Sequence, residues 1–385
     1  MFCLQKYKYY SVFIFFFGST TIFIISGQRL SAKYILFLQR NIIITMRNVI
    51  IYLILILLLV FGFFAVLFTG IVRIPLTDIT GILFTGKSSA DEWITIIREF
   101  RIPKAFAAIL SGMALSVSGL QMQTVFRNPL AGPYVLGISA GASLGVAIMM
   151  MGMGMAAGFI AGMAGNWMIV LAAFLGASAV LFLIFAVSLR IRDVMTILIL
   201  GIMFGSITTS LISVLQYFSN EHLLKTFTVW MMGSLNGVTP EQLKVLAPCV
   251  LCGLIVSVLT VKSLNAMLLG ENYARSLGVN IITSRLLIFF STGILAGSVT
   301  AFCGPIGFVG IAVPHICRIL FRTADQRILL TGCIFAGAIV MLASEMITLL
   351  PGNGVVLPIN SVTAFIGIPV VIWIIVRNHR MASFM

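Results

Sequence analysis

Stretches of about 20 apolar residues, each closed by a short polar break, recur along nearly the whole of this 385-residue chain. At a rise of about 1.5 Å per residue, such a stretch crosses a hydrocarbon layer about 30 Å thick as a helix. The only other spanning form is a closed barrel, because backbone N–H and C=O groups inside lipid must be satisfied within the protein. A barrel would alternate apolar and polar residues along strands of about ten residues, and none of these stretches alternates. The expected fold class is therefore all-α and polytopic. Composition agrees: 60% of residues are hydrophobic and only 9% charged, too few to coat a water-soluble domain.

Ten spans are expected. They are Val49 to Gly70, Pro103 to Val125, Pro133 to Met151, Trp167 to Leu189, Val194 to Tyr217, Leu243 to Lys262, Ser284 to Cys303, Phe308 to Phe321, Ile328 to Leu350 and Pro358 to Val376. Gly304, Pro305, Gly307, Gly310 and Pro314 interrupt the approach to the eighth, where a broken or re-entrant element is expected. With the first span starting in the cytoplasm, twelve basic residues fall inside and seven outside, five of the seven in the long loop after that span. This bias puts both ends of the core inside, and it reads the net charge of +14 as membrane topology rather than nucleic-acid binding.

Residues 1–45 fit this scheme poorly. "YYSVFIFFFGSTTIFIIS" is nearly a span long, but Lys6, Lys8, Arg29 and Lys33 flank it on both sides and give no orientation. Met46 and Arg47, followed at once by a long apolar run, read as a start. Residues 1–45 are expected to be an upstream-start artefact or dispensable extension, with an extra helix or a cleaved signal as alternatives, and 46–385 to be the ten-helix core.

Several apparent motifs fail on context. "GILFTGKS", Gly81 to Ser88, has phosphate-loop spacing, yet that chemistry needs a preceding strand, a following helix and an α/β domain, and here the pattern sits in a loop facing away from cytoplasmic ATP. Cys249 and Cys252 form a C-x-x-C inside an expected membrane helix and read as small apolar filler. The methionines from Met149 to Met163 and the solitary His315 suggest neither a metal site nor a cofactor. No span holds paired carboxylates or a placed nucleophile, so no catalytic residue is expected.

"RNPLAGPYVLGISAGASLG", from Arg127, is read as a tight cytoplasmic turn at Arg127, Asn128 and Pro129, with Pro133 opening the third span. Gly137, Gly141 and Gly145 then recur every four residues, a flat stripe that lets another backbone approach; Gly201 with Gly205 and Gly293 with Gly297 repeat the device. This stretch resembles the signature of the permease subunits of binding-protein-dependent ABC importers for iron chelates, haem and cobalamin. The likeness extends through "REFRIPKAFAAILSGMALSVSGLQMQTVFRNPLA", "LNAMLLGENYARSLGVN", "AFCGPIGFVGIAVPHICRIL" and "LPINSVTAFIGIPVVIWII", across essentially all of 46–385.

The resemblance implies a homodimer of ten-helix permeases in the bacterial inner membrane, two cytoplasmic ATP-binding subunits and an extracytoplasmic substrate-binding protein. It makes Gly270, Glu271, Tyr273, Ala274, Arg275, Leu277 and Gly278 the segment that couples to the ATPase, a short helix with Gly278 as its C-cap. It makes Arg98, Arg101 and Lys104 candidates for docking the binding protein, with interfacial snorkelling as the alternative. "VLPIN", Val356 to Asn360, departs from the pattern: the family usually has an acidic residue first and Gly last. Glu345, the one carboxylate inside a span, keeps an alternative open, a self-sufficient ion-coupled secondary transporter.

Overall fold

The computed structural model describes residues 12–17, 20–25, 32–86, 88–152, 167–191, 193–352 and 355–382. It divides into two units, Met1–Ile54 and Leu55–Met385. In the first, strands β1 (Val12–Phe17) and β2 (Thr20–Ile25) pair antiparallel, Val12 opposite Ile25. The apolar stretch there is thus a hairpin, not the extra helix weighed from sequence. Helix α1 (Ala32–Phe68) runs unbroken through Met46.

All regular secondary structure among the described residues of the second unit is helical. After α1 come α2 (Leu76–Phe84), α3 (Asp91–Thr95), α4 (Ile102–Val125), α5 (Ile138–Ala147), α6 (Trp167–Arg190) and α7 (Val194–Tyr217). Then follow α8 (Glu221–Met231), α9 (Pro240–Leu268), α10 (Glu271–Ser276), α11 (Ile281–Cys303), α12 (Val309–Phe321), α13 (Gln326–Thr348) and α14 (Ile359–Ala382). Seven helices among the described residues are long and apolar enough to cross a bilayer, and Ile138–Gly152, Val309–Phe321 and Ile359–Trp373 are shorter apolar helices. Each of the ten expected stretches overlaps one of these ten. The third opens with a 3-10 turn, Pro133–Leu136, and becomes α-helical at Ile138.

Helix α4 is the axis of the bundle. From Ser111 to Phe126 every residue but Met113 is buried. Its run of Gly, Ala and Ser explains this, since helices in lipid associate through close packing and small side chains permit it. A Cβ on Gly112 would lie 2.2 Å from the Gly337 carbonyl oxygen of α13, and one on Gly119 would lie 1.8 Å from that of Gly310 in α12. Deeper in the interior the Gln121 amide oxygen accepts from Ser291 (3.2 Å) and Thr292 (3.1 Å) of α11. Ser291 in turn pairs with Ser257 of α9 at 2.7 Å. Every polar atom in this cluster finds a partner inside the protein, as lipid demands.

Candidate functional site

One end of the bundle gathers the basic residues near Arg127, Arg190, Arg275 and Arg318, and is called here the basic end. There α10 forms a complete Schellman motif: Val279 N–H donates to the Ala274 carbonyl (3.0 Å) and Gly278 N–H to that of Arg275 (2.9 Å). Gly278 closes it at φ +82°, and Gly270 opens the helix at φ +116°, backbone regions that favour glycine at both positions. Glu271 holds the helix to the bundle through the buried Arg285, 2.7 Å away, and more loosely meets Arg275 at 3.9 Å. Ala274 is fully buried, whereas Tyr273 and Leu277 are 52% and 58% exposed. Beside them lies a cavity of about 570 Å³, lined by Phe126, Arg127, Asp193, Met195, Glu271 and Tyr273 among others. Asp193 caps α7: hydrogen bonds from the Thr196 hydroxyl and backbone N–H hold its carboxyl below the usual range.

Arg127, Asn128 and Pro129 form the expected turn at this end. Arg127 donates to the Met267 carbonyl (3.3 Å), Asn128 accepts from Leu130 N–H (2.9 Å), and the Pro129 carbonyl meets the His315 ring at 2.8 Å. Beyond the turn the chain goes straight into the bundle. Ala131, Gly132 and Pro133 are buried, Pro133 packs on Gly310 opposite the middle of α4, and the Tyr134 hydroxyl accepts from Ile306 N–H at 3.3 Å. The chain enters the bundle as a single 3-10 turn, Pro133–Leu136, before α5 begins. Such backbone is tolerated at membrane depth only against protein or a cavity.

That cavity is present. Tyr134, Val135, Gly137 and Ala140 face Gly201, Gly205, Ser206, Thr209, Ser210 and Ser213 of α7 across about 450 Å³. The four hydroxyls of α7 each donate to the carbonyl four residues back, at 2.9–3.1 Å, so they turn oxygen lone pairs outward without free donors. No charged side chain lines this wall. It offers polar contact without a strong grip. The two cavities share walls, the 125–140 stretch and α7, so the basic end and the hydroxyl wall are built from the same two segments.

A profile of the FecCD transport family matches residues 55–377. The chain belongs to the FecCD transport family. It is 36% identical over 296 residues to the vitamin B12 import system permease protein BtuC of Klebsiella pneumoniae, covering 75% of this chain and 86% of that protein. The BtuC of Salmonella typhi is likewise 36% identical over 283 residues, with 73% and 84% covered. A solved ABC transporter assigned to the metal-chelate type, in an inward-facing conformation, superposes with a TM-score of 0.74 at 26% identity, covering 85% of this chain and 99% of that one. This FecCD-family chain is accordingly a multi-pass transmembrane permease subunit of the importer type.

Within this FecCD-family fold, the glycine stripes divide. A Cβ on Gly141 or Gly145 would lie 2.5 or 2.1 Å from a carbonyl oxygen of α6, and one on Gly201 would lie 2.6 Å from that of Val135. Gly293 would strike the Leu181 side chain at 2.3 Å, and Gly137, at φ +75°, faces the Gly201 carbonyl at 3.1 Å. Gly205 and Gly297 meet nothing nearer than 4.0 and 3.7 Å, so neither is a close-packing glycine. Comparably tight approaches at Gly112, Gly119, Gly176, Gly310 and Gly337 escaped the sequence reading of close-packing glycines, although the seven-residue spacing of Gly112 and Gly119 signals one helix face.

The basic trio also divides. Arg98 is exposed, but Arg101 is 5% exposed, its guanidinium donating to the Leu67 carbonyl (2.6 Å) and to that of Val72. Lys104 meets Glu345 at 2.6 Å. Both cations answer unsatisfied groups on α1 and α13, and neither is a free surface charge. Glu345 is 2% exposed and already paired. In "GILFTGKS", Gly81 to Phe84 are the last turn of α2, so the phosphate-binding loop shape is not formed; Lys87 lies outside the described residues, as does most of the Met149 to Met163 run.

Proposed function

We propose that this chain forms a homodimeric channel that imports an iron–siderophore, haem or cobalamin through the bacterial inner membrane, driven by two cytoplasmic ATP-binding subunits. Ten crossings with both ends of the core in the cytoplasm make the basic end cytoplasmic, in keeping with the positive-inside bias. The observation that carries this reading is α10, a short helix pinned from behind by Glu271 and Arg285 that presents Tyr273 and Leu277 to solvent. An apolar pair on a fixed helix outside the bundle suits a groove in a partner. An extracytoplasmic binding protein delivers the ligand to the opposite end, with Arg98 the remaining candidate there for charge steering.

Facing α7 helices of two copies would enclose a pathway lined by Ser206, Thr209, Ser210 and Ser213. Its uncharged hydroxyls suit a large solute selected beforehand by the binding protein. Identity to vitamin B12 permeases puts cobalamin first among the three ligand classes. The ion-coupled alternative loses its carrier, because Glu345 is already committed to Lys104. Reconstitution tests the proposal. Proteoliposomes holding this chain, its ATPase and its binding protein should take up cobalamin, ferric siderophore or haem only with ATP; uptake by the chain alone on a proton gradient would refute it.

A further inference from the structure

At the end opposite the basic one, α11 stops at Cys303 and α12 starts at Val309, and the five residues between them, Gly304–Phe308, are irregular. Two consecutive N–H groups of this break point at side chains from distant parts of the chain. Ile306 N–H donates to the Tyr134 hydroxyl (3.3 Å) and Gly307 N–H to the Asn360 amide oxygen (2.9 Å). Tyr134 belongs to the wall of the hydroxyl cavity. Asn360 stands in the second position of α14.

Asn360 reaches a third element through its backbone, donating its N–H to the Met232 carbonyl (3.3 Å) just past α8. Helix α8 is otherwise lightly held. Of its eleven residues only Phe227 is buried, stacked on Trp230 with ring centroids 6.2 Å apart. The next fastening is Ser234 N–H to the Cys303 carbonyl at 2.8 Å, again at the break. The break also stores strain: Phe308 sits at φ +65°, costly for a bulky side chain and kept only where the surroundings impose it.

We infer that Asn360 is a positioning residue, the latch that fastens the Gly304–Phe308 break to α14 at the ligand-receiving end. The amide oxygen fixes the break, the backbone N–H holds the end of α8, and Tyr134 ties the break to the cavity wall. Release of the Gly307 bond frees the strained Phe308 turn to move when a ligand arrives, while the backbone bonds at Met232 and Ser234 still hold the end of α8. The assignment of a transport role rests on the importer reading above; the latch itself does not.

Hydrogen–deuterium exchange of the full chain in lipid nanodiscs tests the latch without an ATPase. Asn360→Ala and Asn360→Gly remove the acceptor, and exchange in 304–310 should rise about fivefold, the effect of one neutral hydrogen bond. Asn360→Asp keeps an oxygen acceptor and should exchange like the unaltered chain. Peptides from 102–125 should be unchanged in all three. With the ATPase and binding protein present, Asn360→Ala should lower the ligand imported per ATP hydrolysed, and Asn360→Asp should restore it. Unchanged exchange in the Ala variant, or an equal rise in 102–125, would overturn the latch. A local rise with unaltered import per ATP would overturn its role in transport. Failure of the unaltered chain to import with any ATPase would count against the importer reading instead, and the exchange data would still decide the latch.

Discussion

Replacing Tyr273 and Leu277 together with aspartate separates an ATP-driven permease from every self-sufficient transporter. Both side chains are about half exposed, whereas Ala274 is buried and holds α10 to the bundle. Exposed substitutions of this kind change a chain's own stability by about 0.5 kcal/mol or less, so the variant should insert and fold normally. At a docked interface the balance differs. Covering the exposed half of a Tyr or Leu contributes about 1 kcal/mol, half the value for full burial. An unpaired carboxylate in the same place costs about 1–3 kcal/mol more. Two such sites sum to at least about 4 kcal/mol, roughly a thousandfold in affinity for the ATPase. The checks are affinity-tag co-purification with the ATPase and ATP-dependent uptake by proteoliposomes: both should be lost, with binding of the external protein retained. Co-purification and uptake at the unaltered rate would refute α10 as the docking element.

Glycine substitutions should split by contact distance. Gly119→Ala drives a methyl group into the Gly310 carbonyl and should lower the thermal midpoint in detergent by several degrees, whereas Gly205→Ala, with 4.0 Å of room, should leave it unchanged. Acid should loosen the α2 loop. Hydrogen bonds from Ser89 hold the Asp78 carboxyl below its ordinary value, so this contribution is complete above the usual carboxylate range and lost as pH falls through the lowered value. Proteolysis of the Ser88–Ala90 region should accelerate only below about pH 4, and Asp78→Asn should flatten that dependence.

Hydropathy, charge bias and turn chemistry are local properties, and they were legible in the sequence. The ten apolar stretches each found a helix, and the Gly278 cap and the turn at Arg127 to Pro129 formed where side-chain chemistry within a few residues required them. What the sequence could not specify depends on partners far along the chain. Hydropathy reads Pro133 as the start of a span, but only the packing of Pro133 on Gly310 and of Tyr134 on Ile306 explains why that start is a 3-10 turn held deep in the bundle. A string of basic residues before α4 looks like a surface patch until Leu67, Val72 and Glu345 arrive to occupy Arg101 and Lys104. Asn360 reads as a departure from a pattern, and its use appears only with Gly307 and Met232 beside it. In lipid, apolarity fixes which segments enter the membrane but scarcely distinguishes one helix neighbour from another. The choice of neighbours falls to close backbone contacts and buried polar pairs, and these exist only once the tertiary structure has brought their halves together.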